Sequence, residues 1–154
     1  GAKMTKKILQ NLKYDKKTIK NVASLVELHL RPHTFKMGWT DSAVRRYIVD
    51  AGEVLEDLNN LVRADVTTKN KQKAQEIFEK LDEMETRIKE VLEKEEMSKL
   101  RPPISGDEIM SLFDLEPGPK VGVIMKALYE QRINEGEVSK EEAIKLAKET
   151  FNNL

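Results

Sequence analysis

The feature that most constrains this chain is a stretch of thirty residues, 70–99, that contains neither glycine nor proline. Within it Ile77, Leu81, Met84, Ile88 and Val91 recur at steps of four, three, four and three, with Glu and Lys filling most positions between them. That spacing gathers one apolar seam along one side of a long helix. A seam of barely three heptads can pack within its own chain or pair two chains as a coiled coil, and the intramolecular use is the expectation. Arg101-Pro102-Pro103 then ends the helix, because proline has no N–H to donate and its ring collides with the preceding turn. A domain boundary is therefore expected there, with a body over 1–101 and a tail over 102–154.

The flanking sequence has helical periodicity too. Asp15 is placed to cap a helix whose stripe is Ile19, Val22, Leu25, Val26 and Leu28. Pro32 should stop it near Leu30, since a residue preceding proline avoids the α region. Residues 32–39 are expected to form a loop. Thr40 opens a helix that buries Val44, Tyr47 and Ile48 and reaches Ala51, with Gly52 as its terminator. Leu55, Leu58, Leu61 and Val62 are the apolar side of the next helix. A short first helix carries Ile8, Leu9 and Leu12. In the tail, Ser105–Glu108 and Ser139–Glu142 each have the S-x-x-E pattern of a capping box, and Pro119 suits the first position of a helix. No run alternates as a strand does. The fold class is all-α, a five-helix body followed by a three-helix tail.

Several chemistries are excluded by what the 154 residues lack. There is no cysteine, hence no disulfide frame, thiolate zinc site or thiol nucleophile. No phosphate-cradling glycine loop and no nucleophile elbow occurs. The only imidazoles are His29 and His33. They are four apart, a metal-binding spacing on one helix, but Pro32 between them takes His33 off the helix. No apolar run approaches the roughly 20 residues a membrane span needs. A cytoplasmic, membrane-independent, monomeric protein is expected. The chain starts at Gly1, and an excised piece of something longer is one expectation.

Net charge is zero, yet residues 1–74 carry 15 Lys+Arg against 8 Asp+Glu, and residues 75–154 carry 12 against 19. Such a split marks a partner for the basic half or simply keeps the chain soluble. Arg45 and Arg46 follow the Thr40 cap and are expected to face solvent. Thr67, Thr68, Lys69, Asn70, Lys71 and Lys73 form a polar, basic lead-in to the long helix. Hydroxyls, an amide and lysines at a helix start suit phosphate contacts, although a plain capped turn has the same composition. Phe35 and Trp39 could stack on a base, but a core plug is the favoured reading of Trp39.

Five strings carry a family resemblance: Leu28-His29-Leu30-Arg31-Pro32-His33, Trp39 through Tyr47, Leu61 through Asn70, Arg101 through Met110, and Pro117 through Gly122. In this order and spacing they resemble the C-terminal half of bacterial class II tRNA nucleotidyltransferases, the CCA-adding enzymes and poly(A) polymerases, with the actinobacterial branch the nearest match. The resemblance implies a helical body, part of an HD-like domain, and a tail that together bind tRNA. It also implies an N-terminal catalytic head, absent from this sequence, that uses Mg²⁺ with ATP or CTP. No catalytic residue and no cofactor is then expected in this chain itself. His29 resembles a later His of the HD-type metal signature and Asp65 its closing Asp, a partial set at best. The alternatives are a remnant HD-type metal phosphohydrolase domain and a helical protein-interaction module.

Overall fold

The computed structural model describes residues 1–95 and 101–154. Among them the secondary structure is helical throughout: α1 (Ala2–Asn11), α2 (Lys16–Leu28), α3 (Asp41–Ala51), α4 (Leu55–Ala64), α5 (Lys71–Glu95), α6 (Gly106–Phe113), α7 (Pro119–Glu135) and α8 (Lys140–Asn152). The expected last turn of the long helix, 96–99, lies outside the described residues. The chain divides into two compact units, residues 1–40 with 44–89, and residues 41–43 with 90–154. The division thus falls inside α5, whereas the sequence places its boundary at Arg101-Pro102.

In the first unit α2 starts as its sequence dictates. Asp15 accepts hydrogen bonds from the Thr18 amide, at 3.0 Å, and from the Thr18 hydroxyl. The helix stops at Leu28, with His29 as its cap. Arg31–Met37 is not open loop but a 3-10 helix, because Pro32 at its start has φ fixed in the helical range and needs no amide partner. Gly52 adopts φ +53 at the end of α3, the left-handed geometry that favours glycine. The core holds Val44, Tyr47, Ile48, Leu58, Val62 and the α5 seam residues Leu81, Met84 and Ile88. That seam, continued by the buried Val91, is spent inside the chain, as expected for so short a repeat. Leu61 is 36% exposed, not buried as its spacing implied. The Leu58–Val62 pair, four apart, defines the inner line of α4 and leaves Leu61 on its flank.

The second unit has its own core. Ile104, Ile109, Ile124, Leu128, Val138, Ala143 and Ala147 are buried together, and Phe113 stacks on Phe151 with ring centroids 4.6 Å apart. Both capping boxes form. Ser105 accepts from the Glu108 amide at 3.2 Å while Glu108 accepts from the Ser105 amide at 2.8 Å. Ser139 and Glu142 repeat the exchange at 3.2 and 2.9 Å. An Nζ–Oε1 ion pair of 2.7 Å joins Lys140 to Glu108.

Candidate nucleic-acid interface

The loop between α4 and α5 is built on two internal hydrogen bonds. The Asn70 amide donates to the Thr68 hydroxyl at 3.3 Å, and the Asn70 side-chain carbonyl accepts from the Lys73 amide at 3.1 Å. Asn70 is therefore the N-cap of α5, and the capped-turn reading accounts for Asn70 and Thr68 without a ligand. Thr67, Lys69, Lys71 and Lys73 are exposed around that cap. Three ammonium groups spaced over five residues make this turn a basic surface whose backbone is already rigid.

The structure corrects the expectation for Arg45. Its residue is only 8% exposed, and Arg46 is half-buried. The cause is the helix period. Arg45 is three residues before Ile48, so it shares the inward quadrant with Val44 and Ile48 and cannot project as an exposed site does. Both arginines also interact within the protein. Trp39 is similarly committed. Its ring lies 5.5 Å from Phe35, edge-on, and 5.1 Å from Tyr47, and its indole N–H donates to the Thr34 hydroxyl at 3.3 Å. Tyr47 closes the cluster from below, donating its hydroxyl to the Asn59 side-chain oxygen at 3.0 Å. Burial pushes its phenol far above the ordinary range.

His29 closes the end of α2. Its Nδ1 is 2.8 Å from the Val26 carbonyl oxygen, a bond made within its own helix end. Asp65 is an exposed C-cap of α4. Among the described residues no three His, Asp or Glu side chains come together as a metal site would need. The residue of the Arg63-Ala64-Asp65 string that the fold uses is Arg63. Its Nε bonds Glu85 at 2.9 Å and its Nη2 bonds Asp82, and these two carboxylates hold the guanidinium pKa above its usual value. The sequence signal for this contact is Asp82 and Glu85 three apart on one helix face, which a single basic side chain can span. In the second unit, an open depression of 490 Å³ lies among Ile104, Leu112, Ile144, Asp107, Glu108 and Lys140. Lys140 and Glu108 in its lining pair with each other.

The described residues hold no helix long and apolar enough to cross a membrane. A sequence-family model described as tRNA nucleotidyltransferase domain 2 matches residues 2–147. This chain belongs to that family. The matched residues include parts of both compact units. The chain is 34% identical over 134 residues to an A-adding tRNA nucleotidyltransferase of Deinococcus radiodurans, covering 86% of this chain and 30% of that protein. It is 34% identical over 145 residues to a CC-adding tRNA nucleotidyltransferase of Thermus thermophilus, covering 93% and 30%. This domain therefore spans about 30% of the length of these relatives. No solved structure matches the chain.

Proposed function

We propose that this chain is the tRNA-docking domain of a tRNA nucleotidyltransferase and transfers no nucleotide by itself. The observation that carries this reading is the pair of relatives. One is named for adding A and the other for adding CC, yet both are 34% identical to this chain over 86% and 93% of it. A region equally similar to enzymes that add different nucleotides does not choose the nucleotide. It serves what their names share, the tRNA. RNA helices are recognised mainly through shape, phosphates and 2′-hydroxyls, chemistry that exposed lysines on a rigid helical frame can supply. Nucleotidyl transfer needs clustered carboxylates to hold its cations, and the described residues do not assemble them. In a complete enzyme, Mg²⁺ with ATP or CTP would belong to a catalytic head on the same polypeptide, and the working compartment would be the cytoplasm.

The test has two arms. Labelled tRNA lacking its 3′ end is titrated with the chain at 50 and 200 mM salt, and the same mixture is given Mg²⁺ and labelled CTP or ATP. Binding in the micromolar range that weakens with salt, without incorporation, is the expected result. Incorporation above background would locate a catalytic site in this chain, and absence of binding at the lower salt would remove the docking role.

A further inference from the structure

The most basic segment of the chain lies outside both the Arg45-Arg46 pair and the 67–73 loop. Residues 1–20 contain seven lysines and a single acid, Asp15. In the structure these residues are α1, the turn after it and the first turn of α2, and every one of the seven lysines is exposed. Asp15 stays ionised, since its bonds to the Thr18 hydroxyl and amide hold its pKa below the usual carboxylate range, but its single negative charge still leaves the seven lysines six in excess. Of these lysines only Lys17 forms an ion pair among the described residues, at 3.5 Å from Glu53, and both of those side chains are at least 75% exposed. So loose a pair in open solvent cancels little charge.

The lysines at the tip of this hairpin also sit where local energetics oppose them. Lys13 occupies the left-handed region at φ 59, in a turn where the Lys13 amide bonds Gln10 and the Tyr14 amide bonds Leu9, both at 3.0 Å. This is the C′ position of a Schellman turn, ordinarily a glycine. Lys16 and Lys17 lie in the first turn of α2, which has no acidic residue, so they face the positive end of the helix dipole. Lys20 is one turn on from Lys16 and adds like charge on the same ridge. Positions where local rules are broken together are the expected places of function.

We propose that the tip of the α1–α2 hairpin, through Lys13, Lys16, Lys17 and Lys20, is the principal surface on which this domain grips the RNA sugar–phosphate backbone. The inference rests on the docking reading above and names the surface that performs it. A polyanion gives such a cluster what the folded chain withholds, a dense array of compensating charge. Four ammonium groups within eight residues match the phosphate ridge of one RNA strand. An anionic membrane is the competing partner class, because α1 also exposes Met4, Ile8 and Leu12 on one ridge. RNA is favoured because the tip lysines belong to α2 and its turn, off that ridge, and because the two relatives are named for tRNA.

The experiment compares the full chain with a Lys13→Gln, Lys16→Gln, Lys20→Gln triple variant and with a Lys69→Gln, Lys71→Gln, Lys73→Gln control. Anisotropy of labelled tRNA is read from 50 to 300 mM salt. Circular dichroism melts confirm folding; neutralising Lys16 relieves the dipole, so loss of binding cannot come from an unfolded α2. The proposal expects the hairpin variant to bind about tenfold or more weakly at 100 mM salt. Its log K against log salt should flatten by about 2 to 3, near 0.9 per lost phosphate contact on the duplex-DNA coefficient. The loop control should change less. If wild type binds and the hairpin variant follows it within threefold, this surface is wrong while the docking reading stands. If wild type binds no tRNA at 50 mM salt, the docking reading falls, and this inference with it. Binding to vesicles containing phosphatidylserine in place of tRNA would overturn both in favour of a membrane surface.

Discussion

Lys13→Gly should make this protein more stable, which few lysine-to-glycine changes do. Lys13 is one of two non-glycine residues with positive φ among those described, at 59°. For an L-residue the left-handed region costs roughly 1–2 kcal/mol, because Cβ crowds the following carbonyl. Glycine removes that cost. It also gains freedom in the unfolded chain, which takes back roughly 0.5–1 kcal/mol. The net is a stabilisation of about 0.5–1 kcal/mol. The two Schellman hydrogen bonds are made by backbone groups and survive the change. For a chain of this size such a gain raises Tm by about 1–4 °C.

Urea and thermal unfolding at pH 7, followed by helical circular dichroism, would measure it. Lys13→Ala is the decisive companion, since it deletes the same charge but keeps the Cβ. If the backbone argument holds, Lys13→Ala gains little and Lys13→Gly gains the full amount. Equal gains in both would mean that relief of lysine repulsion, and not the left-handed backbone, is what mattered. A loss in Lys13→Gly would refute the reasoning outright.

Other consequences can be checked in the same preparations. Ile124 is fully buried in the second unit, so Ile124→Ala should cost about 2–5 kcal/mol, read as a lower urea midpoint for that unit. Folded-state pKa values of Asp15, Glu108 and Glu142 lie below their ordinary values. The Thr18 hydroxyl and amide cause this at Asp15, the Lys140 ammonium and Ser105 amide at Glu108, and the Ser139 amide and hydroxyl at Glu142. Their contribution is full above the unfolded carboxylate range and disappears as pH falls through the lowered values, so Tm should fall on acidification below about pH 4.5 and not between 5 and 7. Lys140→Met should bring the Glu108 titration back toward the normal range in an NMR pH series. Trp39→Phe should leave tRNA affinity within about twofold, because its ring is held by Phe35 and Tyr47; a tenfold loss would make it a base-stacking residue.

How far the sequence could be read depended on whether a residue's role is local. Helix starts were legible because a cap needs only neighbours: Asp15, Ser105 and Ser139 each bond a residue three positions on, and the pattern is complete within four letters. The α5 seam was legible because its period repeats. Arg45 was misplaced because a charged residue beside an apolar stripe was assumed to point outward. A long side chain in the inner quadrant can instead run along the core and end at a partner that the sequence does not reveal. Residues 32–39 have the composition of a loop, yet Arg31–Met37 is a 3-10 helix, because a proline that stops one helix can equally start another. Leu61 and the Met4–Ile8–Leu12 ridge were apolar and periodic, yet exposed, for periodicity says which residues share a face and not whether a face is covered.

The candidate site illustrates the same limit from the other side. In the 67–73 loop, residue types that suit phosphate also suit a helix cap, and Asn70 and Thr68 prove to be used as the cap. Composition could not separate the two uses because both recruit the same hydroxyl and amide groups. The hairpin lysines have no such second use. An ammonium has three donors and no acceptor, so it cannot cap a helix start or brace a turn as Asn and Thr do. Seven exposed lysines set against the single Asp15 carboxylate are, apart from the loose Lys17–Glu53 pair, left with solvent or an external anion. The energetic cost of Lys13 in a glycine position and of Lys16 against a helix dipole argues against solvent alone, since Gln or Glu would be as soluble and locally better. What distinguishes a docking surface in this chain is thus residual chemistry: the charges that remain once the fold has taken every group it can use.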